Sequence, residues 1–138
     1  MTVAELQRFL ADAFPELPPP YVVEDAGTWG VRLRLPVTPM HRRPGGTVSG
    51  PSLMAMADAA AWLALLAQIG PVPLAVTTSL HIDFLRRPEL VDVLAEGLVL
   101  KLGTRLGVVD VALRSEAAGE LVAKAQVTYS LPPRTPDP

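Results

Sequence analysis

Cysteine is absent from the sequence, which excludes disulfides, thiolate metal ligands and a cysteine nucleophile together. Histidine is scarce: His41 and His81 are the only two, and no His-x-x-x-His spacing organises them, so no metal ion is expected. A surplus of positive charge is also missing. Twelve Lys and Arg stand against 14 Asp and Glu, a formal charge of −2, which leaves no broad basic field to grip a nucleic-acid backbone. Nucleic acid is therefore not an expected partner. The first residues alternate charged and apolar side chains and lack the cationic start and apolar run of a secretory signal, so the expectation is a cytoplasmic protein.

What the sequence does have is enough apolar material for one core: 138 residues, 49% of them hydrophobic, fit a single domain over 1–138. Residues 53–69 are almost wholly apolar and could be mistaken for a membrane span, but Asp58 interrupts them and alanine dominates. An ionisable group inside a span is costly, so a helix buried by protein is expected, and no membrane partner.

The order of elements reads as a helix embraced by a sheet. Thr2 and Glu5 stand in capping-box register before Leu6, Phe9, Leu10 and Ala13, which predicts a short amphipathic helix ended by Pro15. A proline linker to residue 20 leads to a hairpin, 21–23 with 31–35, turning at Asp25-Ala26-Gly27. Residues 36–50 show no periodicity and read as a long, shaped loop. Ser49 and Pro51 then suit a helix start, and Gly70 a stop. Segments 74–85, 90–102, 107–115 and 121–131 follow as strands, with turn signals between them, and predict an antiparallel meander; 132–138 form a proline-rich tail. A helix of about 28 Å is the only one long enough to cover the sheet. The fold class is α+β: a curved antiparallel sheet wrapped around one long central helix. Such a sheet leaves an edge strand and part of the helix uncovered, so at least a homodimer is expected.

Asp58 is the residue that most needs a reason. Its helical neighbours Met54, Ala55, Ala61 and Trp62 cannot neutralise a carboxylate. Either it faces a cavity or subunit seam, or hydrogen bonds to buried backbone hold it. In the first case it suits a general base. Gly45, Gly46 and Gly50 precede the helix N-terminus, where open backbone N–H groups and the helix dipole can receive an oxyanion. Gly50 and Asp58 lie eight residues apart, roughly 12 Å of helix rise, so a substrate or a second subunit has to bridge them.

The stretch GGTVSGPSLMAMADAAAWLA resembles the loop-and-helix motif of the PaaI-type (phenylacetate-pathway) acyl-CoA thioesterases of the hotdog superfamily, and the later strands are similar as well, over 21–131 in all. The resemblance implies the hotdog fold, Asp58 as the catalytic carboxylate, Gly50 as a backbone oxyanion donor, and Thr77 as an assisting hydroxyl, with Thr78 one register away. It departs from the family where His-Gly-Gly is replaced by Ser49-Gly50-Pro51, and where an asparagine that orients water is replaced by Arg43. It implies an acyl-CoA substrate, no cofactor beyond coenzyme A as part of that substrate, and a homodimer assembling to a homotetramer, with Asp58 of one subunit meeting Gly50 of the other. Arg86, Arg87, Lys101 and Arg105 are the candidates for binding the CoA phosphates. A hotdog hydratase or dehydratase, which needs a histidine beside the carboxylate, and a non-catalytic acyl-CoA binding protein are the alternatives.

Overall fold

The computed structural model describes residues 1–16, 19–117 and 119–133. Helix α1 spans Val3–Ala13. Thr2 Oγ1 accepts from the Glu5 N–H and Glu5 returns a bond to the Thr2 N–H, so the capping box expected from the sequence is formed. Strands β1 (Val22–Gly27) and β2 (Gly30–Leu35) make the first hairpin. The turn lies at Thr28-Trp29 rather than at Asp25-Ala26-Gly27. The pairing slips by one residue between Val23 and Asp25, so the polar residues that suggested a turn sit beside a bulge inside the strand.

The stretch read as a structureless loop has more order than expected. A 3₁₀ turn over Pro39–His41 leads into a two-residue hairpin, β3 (Arg42–Arg43) with β4 (Thr47–Val48), closed by Gly45 and Gly46 at φ of 102° and 77°. Strands of two residues carry no alternation to detect. The central helix α2 follows over Gly50–Ile69 and ends at Gly70, as expected.

Four strands complete the sheet: β5 (Val76–Phe84), β6 (Val93–Leu102), β7 (Leu106–Ser115) and β8 (Leu121–Ser130). The six-stranded antiparallel sheet runs β1-β2-β6-β7-β8-β5. Only β6, β7 and β8 form the expected meander. Strand β5 is corrected to the far edge, beside β8, because the chain between β5 and β6 crosses the sheet instead of turning back. This places the first strand after the helix where it has one free side.

The inward residues of β2, β6, β7 and β8, among them Leu33, Val111 and Val127, pack on the buried face of α2, which carries Leu53, Met56, Ala60, Leu63 and Ala64. This is the hotdog arrangement implied by the resemblance: one long helix held in a curved antiparallel sheet. Gly97 allows the close approach, since a Cβ there would lie 3.1 Å from the Ala60 carbonyl oxygen. Although α2 is long and apolar enough to cross a bilayer, half of the apolar window is buried within this chain. Its other face leaves Pro51, Met54 and Ala55 exposed and Asp58 partly so.

The two sheet edges differ. At β1, the Gln7 amide of α1 donates to the Tyr21 carbonyl at 3.1 Å and accepts from the Val23 N–H at 2.9 Å, so a side chain stands in for a neighbouring strand. On the side of β5 away from β8 no strand pairs among the described residues, and most of its side chains are exposed. An open, nine-residue edge of low charge is the natural place for another strand to pair.

Candidate functional site

The start of α2 is chemically selective. Of its first four N–H positions, Pro51 has none, Ser52 donates to the capping Ser49 Oγ at 3.2 Å, and Leu53 donates to the Ser49 carbonyl at 3.2 Å. The Gly50 N–H takes no acceptor among the described residues. It is the one open donor at the positive end of the helix. A cleft of about 690 Å³ lies in front of it, walled by the β3–β4 hairpin on one side and by the end of β5 on the other. Arg43, Arg86 and Arg87 line this cleft and, among the described residues, no carboxylate does, so the charge on its walls is positive. The loop leading to it is anchored from behind. Arg34 binds Glu24 at 2.9 Å, Asp92 at 3.1 Å and Glu116 at 2.6 Å, and the same Asp92 accepts the Val37 N–H.

Asp58 lies two turns along the helix, away from the cleft lining. It is partly buried, and one carboxylate oxygen is held by two hydroxyls: Thr77 Oγ1 donates to Oδ1 at 2.6 Å and Tyr129 OH at 2.8 Å. The Tyr129 hydroxyl also lies 3.1 Å from the Asp58 backbone carbonyl. The second oxygen, Oδ2, takes no hydrogen bond among the described residues, and it is not one of the buried atoms left without a partner, so it reaches solvent. The groups that hold Asp58 are side-chain hydroxyls rather than the buried backbone of one expected reading, and the cleft of the other reading is not lined by it. Two tyrosines surround this carboxylate. Burial, with the Asp58 charge behind it, pushes the Tyr21 phenol up to about 12. Burial first and the Asp58 charge next also hold the Tyr129 phenol well above the ordinary range, against an opposing effect of Thr77.

The expected residues therefore fall into three places. Gly50, Arg86 and Arg87 meet at the cleft, and Asp58 and Thr77 meet on the uncovered face of α2; Thr78 sits at the bulge in β5 and takes no part. Lys101 and Arg105 lie at the β6–β7 turn, beside the Val76 end of β5, whereas Arg86 follows its Phe84 end. One chain does not bring the two basic pairs together: nine strand residues separate them, about 30 Å. His81 faces outward on β5 and bonds Asp83 at 3.0 Å, so no histidine accompanies Asp58 within the chain. His41 bonds the Thr38 N–H and lies outside the cleft lining. Among the described residues no cluster of His, Asp and Glu could hold a metal ion.

Tyr129 was not singled out from the sequence. Its alternation with Val127 marked it as an inward residue, and the available signal was that a buried tyrosine needs a partner for its hydroxyl. Arg43 reads in the sequence as part of a basic pair, Arg42-Arg43, and as a replacement for asparagine, and its place in the cleft follows from the small hairpin that the sequence did not reveal.

Comparison with known proteins bears on the family and the fold. The profile of the Thioesterase superfamily matches residues 45–122, which include Gly50, Asp58, Thr77, Arg86 and Arg87. A candidate thioesterase from a Silicibacter species superposes with a TM-score of 0.88 at 40% identity, over 96% of this chain and 93% of that one. Zebrafish thioesterase superfamily member 2 superposes with a TM-score of 0.84 at 23% identity, covering 96% of this chain and 99% of its own. A thioesterase from Haemophilus influenzae gives 0.83 at 20% identity, covering 96% and 92%. The latter two speak for the fold alone. No curated protein matches the sequence.

Proposed function

Since the chain belongs to the thioesterase superfamily, we propose that it hydrolyses an acyl-CoA thioester in the manner of the PaaI-type enzymes, at a site completed by a second copy of the chain. The observation that carries the reading is the state of Asp58: a carboxylate fixed through one oxygen with the other left open, on a helix face that the described residues leave partly exposed. A pure binding module gains little from such a group.

The split between Gly50 and Asp58 supports the second copy. Both lie along β5: a Cβ on Gly50 would touch the Phe84 ring at 3.5 Å, and Asp58 bonds Thr77. Thr77 and Phe84 are seven residues apart, about 23 Å along the strand. Antiparallel pairing of two β5 edges about a two-fold axis reverses this order, so that Phe84 of one copy lies across from Thr77 of the other. Allowing for the extra residue at Thr78, the axis then falls at His81. Asp58 of one copy comes to face Gly50 of the second. The exposed Leu98, Leu100 and Leu106 on the outer sheet face suit a further pairing into a tetramer.

In this arrangement the thioester carbonyl oxygen rests on the Gly50 N–H, which strengthens its hold as charge develops there. Asp58 Oδ2 takes the proton of an attacking water, or attacks directly to give an anhydride that water then opens. The carbon–sulfur bond breaks, and the thiolate leaves to be protonated as free CoA. Arg86 and Arg87, with Arg43 beside them, hold phosphate groups at the mouth of the cleft. The activity belongs in the cytoplasm, where acyl-CoA is made and used, and needs no cofactor.

Release of free thiol from a panel of acyl-CoAs, compared between the native chain and Asp58→Asn, tests the reading. We expect turnover that falls by about 100-fold or more in the variant. Hydrolysis that survives the change removes Asp58 from the mechanism. Hydration of an enoyl-CoA, or binding without turnover, replaces the reading with one of its alternatives.

A further inference from the structure

We propose that Tyr129 is a positioning residue that, together with Thr77, commits Asp58 to work through Oδ2 alone. The inference rests on the thioesterase reading for the reaction it serves, but its geometry stands apart from it. A carboxylate has two equivalent oxygens and a side-chain rotation that can exchange them. Here two hydroxyl donors converge on one oxygen, at 2.6 Å from Thr77, within the range of charge-assisted bonds, and at 2.8 Å from Tyr129, an ordinary O–H···O distance. Tyr129 has one hydroxyl proton to give. Oδ1 is nearer and charged, whereas the Asp58 carbonyl at 3.1 Å already serves as an acceptor within a regular helix.

Each donor comes from a different strand, Thr77 from β5 and Tyr129 from β8, and the two are paired neighbours in the sheet. The clamp therefore fixes the carboxylate relative to the sheet. The phenol is 4% exposed, and its raised pKa keeps it a donor throughout the working range, so it cannot serve as a base. With Oδ1 saturated, the oxygen left for a water or a carbonyl carbon is Oδ2, on the uncovered side of α2.

The test uses the full chain and an acyl-CoA that it hydrolyses. Tyr129→Phe keeps the ring and removes the donor. We expect kcat to fall about 10- to 100-fold, the size of effect that a misplaced reacting group produces, with KM within about twofold. Thr77→Val should lower kcat in the same manner and Thr77→Ser should restore it, since serine keeps the donor. Val111→Ala, which removes buried methyl groups elsewhere in the sheet, is the control for lost stability. A Tyr129→Phe variant with kcat within twofold of the native value overturns the proposal, and so does a loss of kcat matched by Val111→Ala at equal loss of Tm. A second readout needs no turnover. The Tyr129 hydroxyl proton, assigned by its absence in Tyr129→Phe, should give a slowly exchanging NMR resonance that moves in Asp58→Ala; no such resonance, or one that stays in place, refutes the clamp. If the native chain hydrolyses no thioester, the functional reading falls and the NMR result alone decides the clamp.

Discussion

Gly97→Ala probes the contact that sets the height of the central helix above the sheet. The added methyl carbon would lie 3.1 Å from the Ala60 carbonyl oxygen and 3.4 Å from the Ala64 Cβ. Neither neighbour can swing aside, because one is helix backbone and the other a side chain of a single carbon. Helix α2 must therefore lift by a few tenths of an ångström along its middle, loosening contacts with β2, β6 and β7 at once. Overpacking of this kind costs about 1–3 kcal/mol. For a chain of this size that corresponds to a fall in Tm of about 4–12 °C. Asp58 lies two residues before Ala60, so the same lift pulls its carboxylate from Thr77 and Tyr129. Calorimetry on the variant reads the first effect and kcat the second. A Tm within 1 °C of the native value, allowing about 0.3 kcal/mol at most, would show that helix and strand do not approach as described.

Other outcomes follow from the same structure. Both tyrosines of the sequence have raised phenol pKa values, Tyr21 at about 12, so absorbance at 295 nm should show little phenolate at pH 10 in the native protein and much in the unfolded one. A group that holds its proton more tightly when folded stabilises fully below its unfolded pKa, near 10, and loses that contribution as pH rises toward the folded value; stability should therefore decline from about pH 10 to 12, and less steeply in Tyr21→Phe. Arg86→Ala and Arg87→Ala should each raise KM for acyl-CoA about 10-fold with kcat kept, and should leave an acyl-pantetheine lacking the nucleotide unaffected; an equal loss on both substrates would separate these arginines from the phosphates. Gln7→Ala uncovers the β1 edge and loses two hydrogen bonds, so a cost of about 1–3 kcal/mol in urea unfolding and a new tendency to associate are expected, whereas unchanged unfolding would refute the role of Gln7 as a strand substitute.

Local signals in the sequence carried what local physics decides. The Thr2–Glu5 capping box, the Ser49 cap with proline behind it and the glycine stop at Gly70 each announce a helix end within a few residues, and all three are found. Asp58 was conspicuous because no residue on its own helix could answer its charge. Its actual partners lie 19 and 71 residues away, on strands whose adjacency no alternation pattern specifies. The position of β5 at the edge was hidden for the same reason: its inward and outward residues are legible, but not the strand it pairs with. The β3–β4 hairpin escaped because two-residue strands have no period, and with it escaped the wall that brings Arg43 to Gly50. Leu17 and Pro18 of the linker, Ala118 of the expected 117–119 turn and the tail at 134–138 lie outside the described residues.

The central claim is that each site takes its carboxylate from one copy and its oxyanion donor from another. Mixing Asp58→Asn chains with Gly50→Pro chains, the second lacking the N–H, and allowing them to exchange before assaying thioester hydrolysis tests it directly. Each variant alone should be inactive. In a random mixture half the dimers are hybrids, and each hybrid has one intact site, so roughly a quarter of native activity should return. A mixture that stays as inactive as its parts would mean that each site is built within a single chain.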